Sequence, residues 1–305
     1  MYKVVLLVRQ LLSVYTHFMW KWIIRRLTGR CELLRIQYDA EPGTSRTTQT
    51  ELSLRHSKCT ECRALVEQSD EGTDLKEQVA SVMDAKKILH DKHPVFRPRF
   101  TECAEKIVGF ARLVQDLDTL RSEKYDEAQH GAELLDLWAT LKPDDALEQR
   151  FTRQWGDIGF QGTDPASDFR GMGLLGFYNL IYFSKQHTAL ARHTLVQSVH
   201  PKYGYSFAIV GINLTELCLR FMKNGCLKAH FYNMEGTTPA LDDFHQVYCY
   251  VFVEFNKLWM KEKPNIMQFN EIRDKYEKQL RRQLDSSRAL LQLESCPSEL
   301  VTQDY

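Results

Sequence analysis

Apolar residues in this chain recur at spacings of three and four, and no stretch alternates apolar and polar residues between hairpin turns. That pattern restricts the fold to helices packed on helices. Cys103, Ile107, Phe110, Val114 and Leu117 mark one helix, after His93-Pro94 and Arg97-Pro98 have broken the preceding pattern. Leu134, Leu135, Leu137, Trp138 and Leu141 mark another, stopping near Pro143. Thr238-Pro239 reads as a helix start, with threonine as N-cap, proline in the first turn, and Asp242 and Asp243 near the positive end. The helix it opens carries Phe244, Tyr248, Val251, Phe252, Phe255, Leu258 and Trp259 on one side, a core stripe rather than a cofactor box. Pro264 restarts a more charged helix towards residue 284. Tyr205 to Ile212 is the best strand candidate, but it fits a buried helix as well. The expected fold class is therefore all-α, a helical array.

Composition bounds the function more loosely. A hydrophobic fraction of 43% over 305 residues supports a sizeable core. Lys+Arg and Asp+Glu are both 40, a balance that argues against a dedicated nucleic-acid binder. Eight cysteines are too sparse for a disulfide scaffold and read as reduced, mostly buried thiols in a cytosolic setting. Cys59 and Cys62 form a lone C-x-x-C with no second pair at zinc spacing, and the ten histidines do not cluster, so no metal site is expected.

Residues 1–38 read as a basic amphipathic N-terminal helix. Arg9, Ser13, His17, Lys21 and Arg25 fall every four residues on one stripe, and Leu12, Tyr15, Met19, Trp22 and Ile23 lie opposite. Residues 1–30 hold six basic residues and no acidic one. Such a helix suits a membrane interface, with Arg9, Lys21, Trp22, Arg25 and Arg26 as contacts within residues 1–27. A core helix packed on the downstream domain and a true span are alternatives. Arg9 splits the apolar region and no A-x-A site follows, which argues against a cleaved signal. Residues 39–51 are turn-rich and polar, a loop or linker. Residues 52–129 form a helical extension, and 286–305 a short, frayed tail.

The most unusual stretch is Trp155 to Gly173, which places five glycines in 19 residues. Glycines there imply tight turns or close backbone approach. Asp164-Pro165 and Ser167 are loop or helix-start chemistry, and after Gly173 an apolar helix begins. Arg170 thus sits where an irregular loop meets a buried helix, a common platform for function. Gly171 to Gly176 matches G-x-G-x-x-G literally, but a dinucleotide site needs a preceding strand and an acidic residue about 20 positions on. Residues 190–200 contain neither Asp nor Glu. No P-loop, H-E-x-x-H or G-x-S-x-G motif occurs.

Trp155 with Ile158-Gly159-Phe160-Gln161-Gly162, then Asp164-Pro165, then Asp168-Phe169-Arg170-Gly171-Met172-Gly173, resembles the signature of the ELMO domain. Gly204 to Asn213 is similar to a second block of that family, and Leu27 to Leu33 to the start of the short ELMO-domain-containing (ELMOD) proteins. The resemblance places the domain at 130–285. It implies an all-α fold and a GTPase-activating protein for ARF and ARF-like small GTPases, with Arg170 as the arginine finger. It also implies no cofactor of the chain's own, since Mg-GTP is held by the partner GTPase. The reduced cysteines and the basic N-terminal helix point to a cytoplasmic protein peripheral on intracellular membranes. The larger engulfment-and-motility scaffolds share the domain but are adaptors that lack this arginine, so its presence here favours the activator; a non-catalytic adaptor that binds a small GTPase or its regulator is the alternative. One departure is Ala166-Ser167, where close relatives often have Lys-Thr; Ser167 keeps a capping hydroxyl. From spacing alone, an internal pair of Arg170 with Asp168 or Asp164 is the more ordinary reading, and the resemblance reverses it. Trp155 and Phe160 are expected to wedge the loop onto the core. For Gln161, positioning water has no support over a hydrogen bond to backbone.

Overall fold

The computed structural model describes residues 26–67, 74–236 and 238–293. Arg9, Lys21, Trp22 and Arg25 lie outside the described residues, as do Cys296 and the end of the tail; Arg26 is helical. The chain divides into two compact units, Met1–Val108 and Gly109–Tyr305. Among the described residues every regular element is helical, so the fold is an all-α array.

The first unit holds α1 (Glu32–Asp39), α2 (Thr44–Arg55), α3 (Thr60–Glu67) and α4 (Leu75–Ala85), each packed on the next, and the first half of α5 (Phe96–Ser122). Two expectations are corrected here. The N-terminal helix does not run unbroken to residue 38: Gly29 takes a positive φ of 65° and the chain restarts at Glu32. Residues 39–51 are not a linker, because α2 starts at Thr44. Its threonines are used internally. The Gln37 amide donates to Thr50 Oγ1 at 2.8 Å, and Thr50 donates back to the Arg46 carbonyl at 2.8 Å. Buried hydroxyls satisfied in this way make a polar helix face compatible with the interior.

The second unit comprises the rest of α5, α6 (Glu127–Leu141), α7 (Gly173–Gln186), α8 (Thr188–Ser198), α9 (Phe207–Lys223), α10 (Lys228–Asn233), α11 (Leu241–Glu262) and α12 (Phe269–Leu284). Helix α7 is central, packing on α6, α8, α9 and α11. Phe244, Tyr248, Phe252, Phe255 and Trp259 on α11 are all fully buried, as their stripe requires. The stretch from Tyr205 joins the fold as helix, with α9 starting at Phe207.

Two further boundaries differ from the sequence reading. Helix α11 starts at Leu241, not at Pro239, because the Asp243 carboxylate accepts from the Ala240 amide at 2.9 Å and fixes the cap there. Pro239 is instead buried beside Gly109 of α5. The tail after Ser286 is tied down as far as it is described: Asn233 donates to the Ser287 and Ala289 carbonyls, both at 3.0 Å, and Leu291 is buried.

A buried polar relay crosses this core. Thr215 Oγ1 donates to the Gly211 carbonyl at 3.1 Å and accepts from Asn179 Nδ2 at 2.9 Å. That leaves Asn179 Oδ1 to accept from His245 Nδ1 at 2.7 Å. Elsewhere His230 Nδ1 accepts from the Leu291 amide at 3.0 Å. Burial lowers both imidazoles to about 4. The unfolded chain therefore binds more protons than the folded one between about pH 6.5 and pH 4, and stability falls as pH drops through that window. Each histidine is expected to cost about 2 kcal/mol between pH 7 and pH 5. Urea unfolding of His245→Gln and His230→Gln at the two pH values checks this: each variant should lose its share of the pH dependence, and a dependence equal to that of the parent would contradict it.

Candidate functional site

The glycine-rich segment folds as two short 3-10 turns, Arg153–Ile158 and Pro165–Gly171, each closed by its own cap. Thr152 Oγ1 accepts from the Gln154 amide at 3.3 Å. Asp164 Oδ1 accepts from the Ala166 amide at 3.1 Å, with Pro165 in the first turn. Ser167 donates its hydroxyl to the Asp164 carbonyl at 2.9 Å.

Aromatic rings hold the two turns down. Trp155 is fully buried, donates Nε1 to the Arg150 carbonyl at 2.8 Å, and lies edge-on to Trp138 of α6 at 5.6 Å. Phe160 follows at 6.0 Å from Trp155, Phe169 at 5.6 Å from Phe160, and Phe177 of α7 at 5.4 Å from Phe169. Edge-to-face contacts of this kind add roughly 0.5–1.5 kcal/mol each to area burial. Trp155 and Phe160 thus wedge the loop onto the core as expected.

Gly159 completes the anchoring. Its φ is +84°, its carbonyl accepts from the Ile209 amide at 3.3 Å, and a Cβ there would lie 2.2 Å from the Phe207 backbone nitrogen. Any side chain would push the loop off the start of α9.

The loop's carboxylates have their own partners. Asp168 Oδ2 accepts from the Gln161 amide at 2.7 Å. Burial pushes the Asp168 carboxyl up from its ordinary value, against the pull of that N–H and of the Arg170 charge. Asp164 Oδ1 accepts from Arg150 Nη2 at 3.0 Å. Arg170 is exposed, and among the described residues it makes no hydrogen bond or ion pair. The residue before it, Phe169, is 1% exposed. A guanidinium in solvent therefore stands on a backbone pinned one residue away. Gln161, Gly162 and Gly171 are exposed, and Gly173 is buried.

Arg150 is the residue that reading the sequence misses. Its side chain is 16% exposed and forms a two-pronged pair with Glu127, at 2.8 and 2.7 Å, as well as the bond to Asp164. Burial works against its charge, but the two carboxylates outweigh that and hold it protonated. Burial also pushes the nearby Tyr125 hydroxyl, which donates to Glu127 Oε2 at 3.1 Å, up to about 12. Arg150 thereby ties the loop to the start of α6. Nothing local in the sequence marks it, since Glu127 lies 23 positions away. Arg150→Ala is expected to lower unfolding stability by about 1–2 kcal/mol, discounted because its acidic partners are part-exposed. Urea denaturation tests this, and an unchanged midpoint would show that the brace is idle.

Among the described residues no three His, Cys, Asp or Glu side chains converge to hold a metal, and the seven cysteines are free. No described helix is long and apolar enough to cross a membrane.

Fold and site together define an all-helical domain with a capped, aromatic-anchored loop on which Arg170 is exposed. Residues 115–273 match the ELMO/CED-12 family. The chain is 42% identical to ELMO domain-containing protein 1 of Bos taurus over 304 residues, covering 92% of this chain and 93% of that one. It is 43% identical to ELMO domain-containing protein 2 of Mus musculus, with 92% and 97% covered, and 34% identical to ELMO domain-containing protein B of Dictyostelium discoideum, with 88% and 96% covered. The chain belongs to the ELMO/CED-12 family, among its short ELMO domain-containing members.

Proposed function

We propose that this chain is a GTPase-activating protein for an ARF-family small GTPase, to which it lends Arg170. The observation that carries the reading is that Arg170 is exposed beside a fully anchored Phe169 while Asp164 and Asp168 are bonded to Arg150 and the Gln161 amide. The internal pairing that spacing alone favours is therefore not made as a hydrogen bond or ion pair.

Transfer of a phosphoryl group to water spreads negative charge over its oxygens. A planar guanidinium supplied by another protein donates to two of those oxygens at once, which a lysine ammonium cannot do in the same geometry. Its backbone is already fixed, so only the side chain remains to be ordered on binding. Mg-GTP is held by the GTPase, and this chain contributes the cation. Residues 1–27 would bring the chain to membranes through Arg9, Lys21, Trp22, Arg25 and Arg26.

The test is GTP hydrolysis by a panel of ARF and ARF-like GTPases, with and without anionic vesicles. Acceleration of at least one member is expected, enhanced by vesicles when residues 1–27 are present. Binding without acceleration would identify an adaptor instead.

A further inference from the structure

We infer that Phe151 is the apolar anchor by which this loop holds its GTPase, seating its ring against an apolar surface beside the partner's nucleotide. The inference rests on the arginine-finger reading and adds to it the residue that binds rather than reacts.

Phe151 is 57% exposed, although the residues on either side of it are held in place. Arg150 is clamped by Glu127 and Asp164. Thr152 is buried, and its amide donates to the Thr163 carbonyl at 3.2 Å. The Arg150 guanidinium lies 4.8 Å from the centre of the Phe151 ring. The ring is thus an exposed apolar group on a fixed backbone, backed by a cation whose charge two carboxylates neutralise. Such a group loses little conformational freedom when covered, which is what makes an aromatic an effective contact.

Its position links it to Arg170. Thr163 and Asp164, bonded to Thr152 and Arg150, lead directly into the turn Pro165–Gly171, which carries Arg170 near its end. Six residues of 3-10 geometry, rising about 2 Å each, put Arg170 about 12 Å along from Asp164. A standard interface covers about 800 Å² on each partner, wide enough to include both side chains. A small GTPase that accepted Arg170 at its nucleotide would therefore meet Phe151 within the same footprint. Arg150 is already paired with Glu127 and Asp164, so covering the ring does not strand its charge.

The experiment uses the full chain and a GTP-loaded ARF-family GTPase that responds to it, with single-turnover hydrolysis followed against activator concentration. Phe151→Ala should raise the half-maximal concentration about tenfold to thirtyfold. The maximal rate should stay the same, and Phe151→Leu should recover most of the loss. A half-maximal concentration within about twofold of the parent overturns the inference, as does a fall in maximal rate without a shift in concentration dependence. So does sedimentation showing a dimer of the parent chain that Phe151→Ala dissociates, since a second copy would then cover the ring. Arg170→Ala, run in parallel, should lower the maximal rate and leave the half-maximal concentration in place. If Arg170→Ala has no effect while Phe151→Ala still shifts the concentration, the finger reading fails alone.

Discussion

Arg170→Ala is expected to reduce the accelerated rate of GTP hydrolysis by ~10³–10⁵-fold, the contribution typical of an arginine supplied to phosphoryl transfer. Such a loss corresponds to about 4–7 kcal/mol of barrier. The protein itself should remain folded, because the side chain is exposed and makes no hydrogen bond or ion pair among the described residues. Its removal strands no partner: Asp168 keeps the Gln161 amide and Asp164 keeps Arg150. Arg170→Lys retains the charge but not the fork, and should recover a small part of the rate. Single-turnover hydrolysis at saturating activator reads all three proteins. A rate for Arg170→Ala within a few-fold of the parent would remove the arginine from the mechanism.

The second large effect is on stability. Gly173 follows the loop and opens α7 with φ +52°, and a Cβ built there lies 2.3 Å from the Arg121 carbonyl oxygen and 2.4 Å from that of Glu123. The next amide, Leu174, donates to the same Glu123 carbonyl at 3.1 Å. Backbone therefore meets backbone here, and no flexible side chain can yield. Gly173→Ala should cost about 1–2 kcal/mol for the left-handed conformation alone, and about 3–5 kcal/mol in total once the end of α5 is displaced. That is a large share of the roughly 5–15 kcal/mol that stabilises a domain. Gly171, two residues earlier, provides the control. A Cβ there meets nothing within 4 Å and its φ is not positive, so Gly171→Ala should change stability by no more than about 0.5 kcal/mol. Urea denaturation of the two variants compares them directly, and equal midpoints would show that the close approach at Gly173 is not a constraint.

The contrast between these two glycines also marks what the sequence can and cannot convey. Glycine density pointed to a tight loop between Trp155 and Gly173, and the loop is there. Which glycine is indispensable depends on which carbonyls approach it, and Arg121 and Glu123 are some 50 positions away. The aromatic stripe of α11 was legible because its period is local and its environment uniformly apolar. Helix α2 was not, because Thr47 and Thr50 look like loop residues until Cys103 Sγ and the Gln37 amide are brought to them. Arg150 was missed for the same reason: a salt bridge between distant residues leaves no periodicity. The tail after Ser286 read as frayed because its anchors, Asn233 and His230, come from another helix. For Arg170 the motif fixed the position, but whether the side chain was spent on its neighbouring carboxylates required the fold.

The most direct measurement is the affinity of the full chain for a responsive ARF-family GTPase in three nucleotide forms: GDP, a non-hydrolysable GTP analogue, and GDP with aluminium fluoride as a mimic of the transferring phosphoryl group. A group that acts in the transition state binds its mimic far more tightly than the ground state. The account predicts tightest binding to the aluminium fluoride form, loss of that preference in Arg170→Ala, and little change in that variant's affinity for the GTP-analogue form. An Arg170→Ala protein that kept the full preference, or a parent chain that showed none, would contradict it.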